Sequence, residues 1–293
     1  GSGITPAVKE MLLNRKLSKP LETSLCIEDC ITVASIKREA EQLLGTMPAL
    51  KALMGDKQTS ILETLSHISL HPAAALLLTV ADKNRKGAFR HGVLVALIAV
   101  ALGTHQKQSR RDCIMLALAG LLHDIGKLYI NPEYLHPYRT LKPDEWKHVA
   151  AHPHIGQVVL EELTDCPQIA INAVAAHHER LDGSGYPHHL SGLQISPLAR
   201  ILTMGETLSG IIVRNDDALI RSCLALKFMP DEHSHNLVAV VAALKRDYVD
   251  DPFLTGIAEG EINPKAHDVA RTLAHALAEC DEIALKQTLP KVV

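Results

Sequence analysis

Aromatic residues make up only 3% of this 293-residue chain. That removes most of the stacking platforms on which proteins hold unpaired nucleobases. No surplus of positive charge makes up for the loss, because 30 Lys and Arg face 33 Asp and Glu for a net charge of −3. A domain that grips DNA or RNA through a basic surface is therefore not expected. The six cysteines (Cys26, Cys30, Cys113, Cys166, Cys223 and Cys280) contain no CxxC pair. Cys26 and Cys30 stand one helical turn apart, an isolated spacing that is more often structural than functional, and all six read as reduced thiols of a cytoplasmic protein. The most apolar run, Val93 to Leu102, is about half the length that spans a bilayer, so no membrane segment is expected. No secretory leader is visible, and Gly1-Ser2-Gly3 reads as a cloning remnant. Alternating strand patterns are also missing.

What is abundant is alanine and leucine, which favour helix, and the expected fold class is all-α. From Pro6 to Leu70 the chain reads as charged, amphipathic helices broken near Pro20, Gly45-Thr46-Met47-Pro48 and Gly55. Residues 1–69 are expected to be a helical extension that packs on the main domain, pairs two copies into a homodimer, or contacts a signalling partner. Residues 70–293 are expected to be the main domain. Ala73–Asp82, Ala88–Gly103 and Ser109–Gly126 read as apolar helices, and helices apolar on all sides belong at the centre of a large bundle. Lys142-Pro143-Asp144-Glu145 opens a helix that Pro153 is expected to end, Asp165-Cys166-Pro167 opens one ending at His177-His178-Glu179, and Ser196-Pro197 opens one carrying Glu206. Beyond Asp216, two or three helices without a motif are expected, split by a loop from Asp251-Pro252 to Pro264.

The third helix ends in Leu121-Leu-His123-Asp124-Ile-Gly-Lys127. Unpaired polar groups at the edge of an apolar interior are costly, and a metal ion would remove the cost. The chain holds 17 histidines, most of which read as surface residues. His91, His152, His177, His178 and Glu206 are the candidates to complete a site around His123 and Asp124, several of them at helix ends or beside breakers. Five histidines and two carboxylates are too many for one closed four-ligand zinc site, and they suit a pair of metals. Two metals roughly 3.5–4 Å apart can generate a hydroxide and clamp a phosphodiester. Imidazole suits iron, manganese, zinc or nickel, and a carboxylate can bridge two ions.

Arg90-His91, His123-Asp124-Ile-Gly-Lys127, His152-Pro-His-Ile-Gly156 and His177-His-Glu-Arg-Leu-Asp-Gly-Ser-Gly-Tyr-Pro187, in that order, resemble the HD-GYP family. These are bacterial cyclic di-GMP phosphodiesterases within the HD superfamily of metal-dependent phosphohydrolases. The resemblance covers roughly residues 70–220 and implies an HD-type helical bundle with a binuclear centre of two divalent metals, iron or manganese. It implies that His91, His123, Asp124 and Glu206 hold one metal, that His152, His177 and His178 hold the other, and that Asp124 bridges them. Lys127 would face the substrate phosphate. Arg180, Asp182, Gly183 and Tyr186 would shape the loop beside the site. The implied reaction, in second-messenger signalling, is attack by a bridging hydroxide that opens cyclic di-GMP to linear pGpG and onward to GMP.

The chain departs from that pattern in places. Glu206 stands where the family has Asp, and Ser209 replaces a second Asp. Gly87 stands where some members have a Glu for a third metal, so two metals are expected. Asn215 and Ala218 replace basic residues that grip the dinucleotide, and Arg214 can substitute if the register slips by one. Two other readings follow: a catalytically weak or inactive relative that signals by binding nucleotide or metal, and a hydrolase of another cyclic dinucleotide. His154, His188 and His189 match no ligand position.

Overall fold

The computed structural model describes residues 30–136, 139–214, 226 and 231–246. Cys26, Cys223, Cys280, Asn215, Ala218, the stretch before Cys30, the loop from Asp251 to Pro264 and most of the sequence beyond Asp216 lie outside those residues, as does the side chain of Arg214. Among the described residues the fold is all-helical. Its helices are α1 (Val33–Thr46), α2 (Pro48–Met54), α3 (Gln58–Ser66), α4 (Pro72–Asn84), α5 (Ala88–His105), α6 (Arg110–Leu122), α7 (Pro143–Ala150), α8 (His152–Leu163), α9 (Gln168–Ala175), α10 (Pro197–Arg214) and α11 (His235–Arg246). Short 3-10 turns run over Ile125–Tyr129 and Pro132–Leu135.

Local chemistry sets the starts. Thr32 and Ser35 form a reciprocal capping box at α1, and the Ser109 hydroxyl accepts from the Asp112 N–H at α6, each satisfying a donor the first turn leaves free. Pro72 and Pro143 occupy first-turn positions, where the missing N–H costs nothing. The same rule corrects one expectation. Pro153 does not close the helix before it: α7 already ends at Ala150, and α8 begins at His152 with Pro153 in its first turn. His152 thus opens a helix. The expected helix to Gly126 also stops earlier, at Leu122, and continues as the 3-10 turn.

Helix α5 is the axis of the bundle. Every residue from Gly92 to Gly103 is buried, and α1, α3, α4, α6 and α10 pack around it. By length and composition α5 is apolar enough to cross a membrane, yet it lies within this core. Ile36, Leu43, Leu50, Leu53, Ile61 and Leu65 of α1–α3 join the same core, and Arg90 of α5 pairs with Glu39 of α1. Truncating a fully buried leucine here would cost about 2–5 kcal/mol.

A close crossing of α5 and α6 decides where the site forms. A Cβ on Gly120 of α6 would lie 2.5 Å from the Ala96 Cα of α5, and one on Gly92 would lie 2.9 Å from the Leu121 carbonyl oxygen. Only glycine allows this approach. It holds the end of α6 against the start of α5, so that the His91 and His123 rings stand 5.0 Å apart.

Candidate metal centre

Three histidines share one local geometry. His123 Nδ1 lies 2.8 Å from the Gly120 carbonyl, His152 Nδ1 2.8 Å from that of Val149, and His177 Nδ1 2.7 Å from that of Val174. Each carbonyl sits three residues back at a helix C-terminus, where carbonyls lack intrahelical partners. A carbonyl only accepts, so Nδ1 carries the proton in each ring and Nε2 presents a lone pair. Such a backbone anchor fixes both tautomer and orientation of a ligating imidazole.

The three Nε2 atoms converge on Asp124. Its Oδ1 lies 3.4 Å from His123 Nε2, 3.4 Å from His152 Nε2 and 3.9 Å from His177 Nε2. Its Oδ2 lies 2.7 Å from Lys127 Nζ, 3.0 Å from Arg85 Nη2 and 3.9 Å from His91 Nε2. Glu206, carried by α10, meets His91 Nε2 at 3.2 Å and His123 Nε2 at 3.5 Å. Two sets of donor atoms, His91–His123–Asp124 and His152–His177–His178, each fall within 4.8 Å of one another. All seven expected ligands are therefore gathered in one place, with Asp124 between the two sets.

The electrostatics favour a cation there. Burial holds the His177 and His178 imidazoles well below their usual range, helped by their imidazole neighbours, so both are neutral. Burial also lowers His123, against the pull of Asp124 and Glu206. For Asp124, burial pushes the carboxyl up, but Lys127, His123 and His152 outweigh it and hold it well below the carboxylate range. Glu206 is likewise held ionised, burial being overcome by the His91 hydrogen bond and by His123. For His91 burial is overcome too, and the Glu206 hydrogen bond raises it.

The fit to a metal rests on atoms that lack partners. Among the described residues, His123 Nε2, Asp124 Oδ1 and His233 Nε2 are the buried side-chain atoms without a hydrogen bond, and two of the three face each other in this centre. His152 Nε2 and His177 Nε2 stand 3.2 Å apart, and with both Nδ1 atoms donating to carbonyls they meet lone pair to lone pair. Cations placed here would satisfy the His123, Asp124, His152 and His177 atoms together.

The block from His177 to Pro187 supports the second set. The Tyr186 ring stacks on His178 at 4.6 Å and 23°, and Trp146 meets Tyr186 edge-on at 5.5 Å. Burial pushes the Tyr186 phenol up. Gly185 is fixed by space, since a Cβ would lie 2.4 Å from the Arg180 nitrogen. Gly183 takes a left-handed φ of 83° that glycine adopts freely. Arg180 pairs with Glu232 at 3.3 Å, and the Asp182 carboxylate accepts from the Ser184 N–H and hydroxyl. Arg180 is thus tied to the segment before α11 and Asp182 to its own turn, whereas Lys127 bonds Asp124 itself.

Four contributors escaped the sequence reading. Glu179 is buried and accepts from the His188 and Leu190 backbone N–H groups at 2.7 and 2.9 Å, tying the loop down. Its place beside His177-His178 was the available signal. Ser209, buried where the second Asp was expected, donates to the Glu206 carbonyl at 2.8 Å and reaches its carboxylate at 3.4 Å. Trp146 and Arg85 carried no sequence signal. Beside Asp124 opens a cavity of about 490 Å³, walled by Leu78, Ala81, Leu128, Ile130 and Leu135, with Arg85, Asp124 and Lys127 on its polar side. That volume is within the range of small-molecule sites.

The pattern of the HD domain family matches residues 74–235. A cyclic di-GMP phosphodiesterase of Pseudomonas aeruginosa is 31% identical over 179 residues, 60% of this chain and 41% of the relative. A 3'3'-cGAMP-specific phosphodiesterase of Vibrio cholerae is 37% identical over 116 residues, 40% of this chain and 25% of the relative. The chain thus spans less than half the length of either relative. A solved structure of an HDG"Y"P protein from Bdellovibrio bacteriovorus aligns with a TM-score of 0.49 at 19% identity, over 73% of this chain and 70% of that one.

Proposed function

The chain belongs to the HD domain family, and on that premise we propose that it is a metal-dependent phosphodiesterase that opens a cyclic dinucleotide, cyclic di-GMP in the first instance. The observation that carries this reading is the single carboxylate of Asp124 set between two groups of imidazoles, with the Nε2 atoms of His91, His123, His152 and His177 turned toward it. In this reading His91, His123, Asp124 and Glu206 would hold one divalent transition metal, iron or manganese, and His152, His177 and His178 would hold a second beside Asp124. Such a pair would activate water at neutral pH and neutralise charge on the phosphoryl oxygens.

The chain's own residues do the rest. The backbone carbonyls of Gly120, Val149 and Val174 keep each Nδ1 protonated, so each Nε2 stays a ligand. The low range of Asp124 and Glu206 keeps both carboxylates ionised at neutral pH. Lys127, whose ammonium bonds Asp124 Oδ2, is placed to turn to a phosphate oxygen and stabilise charge as it develops there. The apolar wall of the neighbouring cavity receives a nucleobase and excludes water from that side.

A second reading keeps the reaction and changes the dinucleotide to 3'3'-cGAMP, supported by the Vibrio cholerae relative's name. One experiment separates the outcomes. Manganese- or iron-loaded protein is incubated with cyclic di-GMP and with 3'3'-cGAMP, and the products are resolved by chromatography. Linear dinucleotide from cyclic di-GMP, abolished in His123→Ala and Asp124→Ala, is expected. Preference for 3'3'-cGAMP selects the second reading, and no product from either with metal bound overturns both.

A further inference from the structure

We propose that Arg85 is a substrate-binding residue that grips a phosphate of the dinucleotide beside Asp124, a role that rests on the phosphodiesterase reading. The geometry around one oxygen points to it. Asp124 Oδ2 takes the Lys127 ammonium at 2.7 Å and the Arg85 guanidinium at 3.0 Å. Among the residues lining the cavity, Asp124 is the one carboxylate and faces two cations, while Glu206 is engaged by His91 and His123 away from it. The Arg85 side chain is 40% exposed against 18% for Lys127, and both line the cavity of about 490 Å³. A phosphate entering there meets the two cations together. The planar guanidinium can take two of its oxygens at once, a match that an ammonium cannot make.

Arg85 is held in place by its own turn. It follows α4, with its N–H bonded to the Ala81 carbonyl at 2.9 Å, and its carbonyl accepts from the Ala88 N–H at 3.0 Å. The Asp82 carboxylate accepts from the Gly87 and Phe89 N–H groups, which ties this short connection to the first turn of α5. Gly87 closes the connection at φ 90°, a left-handed conformation suited to glycine. Lys83 in the last turn of α4 and Lys86 in the connection, both exposed, add to the positive field without lining the cavity.

Arg85 lies two positions before Gly87 and holds no ligand atom of either metal set. Its loss should therefore weaken substrate binding without emptying the centre. A contact made equally to the bound substrate and to the transition state raises KM and leaves kcat. A charged hydrogen-bonded contact of this kind amounts to roughly tenfold to hundredfold in binding.

The test compares wild type, Arg85→Ala and Arg85→Lys, each manganese-loaded, by three readouts: metal content, kcat and KM for cyclic di-GMP, and calorimetric affinity for inorganic phosphate. The expected result for Arg85→Ala is unchanged metal content, KM raised about tenfold or more, kcat within about threefold, and phosphate affinity lowered in parallel. Arg85→Lys should recover part of both. Unchanged KM and phosphate affinity would overturn the proposal. So would loss of metal from Arg85→Ala, because Arg85 would then be a support for Asp124. If wild type turns over no dinucleotide, the phosphodiesterase reading falls. The phosphate affinities then decide alone whether Arg85 binds phosphate.

Discussion

Replacing Gly126 with alanine should separate the two halves of the metal centre. Gly126 lies between Asp124 and Lys127, and its Cα faces the first turn of α8. An added Cβ would stand 2.0 Å from the His152 carbonyl oxygen and 2.7 Å from the Gly156 nitrogen. Both are backbone atoms, so no rotamer change relieves the clash. Ordinary carbon–oxygen contact needs about 3.5 Å, so the 3-10 turn and α8 must part by roughly 1.5 Å. That shift acts on Asp124 and His152, whose Oδ1 and Nε2 are 3.4 Å apart. Overpacking of this kind costs about 1–3 kcal/mol, equivalent to a fall in Tm of about 2–5 °C for a chain of this size. Metal affinity should fall by about tenfold or more, as when the supports of ligating residues are disturbed. Gly210→Ala is the control, because nothing lies within 4 Å of its Cβ and alanine is the better helix former by roughly 0.5–1 kcal/mol. The assay is thermal unfolding by circular dichroism with chelator and with manganese, followed by metal analysis after desalting. A Gly126→Ala protein that melts with wild type and keeps its metal would refute the reasoning.

Three further outcomes are expected. His233 is buried with its imidazole lowered to about 4 by burial and by Arg180, so the unfolded chain binds the extra proton first. Stability from this group is full above pH ~6.5 and is lost as pH falls toward 4, by on the order of 3 kcal/mol. Urea titrations at pH 7 and 5 should therefore show a smaller pH dependence for His233→Phe than for wild type, and an identical dependence would contradict the assignment. Trp146, the single tryptophan, touches Tyr186, which stacks on His178; manganese or iron should change its fluorescence saturably, and His178→Ala should reduce the change. Ser209→Ala removes a hydroxyl from Glu206 and should lower metal affinity by about tenfold with little change in Tm. Equal affinity would mean that Ser209 does not orient the carboxylate.

The all-helical fold was legible because apolar runs such as Val93–Leu102 carry no strand alternation and have room for nothing but the centre of a bundle. The pair His123-Asp124 was legible for a related reason: polar groups closing an apolar helix require a partner. Pro153 misled because proline ends one helix and starts another by the same missing N–H, and only the three-dimensional path tells which. Arg85 was illegible, since its contact with Asp124 spans 39 residues and depends on how the α4–α5 turn folds over the end of α6. Glu179 looked like one more motif carboxylate. Its burial, and the two N–H groups it receives, come from a loop that closes nine and eleven residues later. Ser209 was read only as a missing Asp, whereas its hydroxyl serves the carboxylate one helical turn before it.

If Asp124 joins two metal sets, it sets the number of metals the chain retains. Elemental analysis of protein loaded with manganese or iron, then desalted, measures it. About two metals per chain are expected, falling to about one in His178→Ala, which removes a ligand of one set alone, and to none retained in Asp124→Ala. A wild-type value of one per chain, or an Asp124→Ala protein that keeps both metals, would contradict the account.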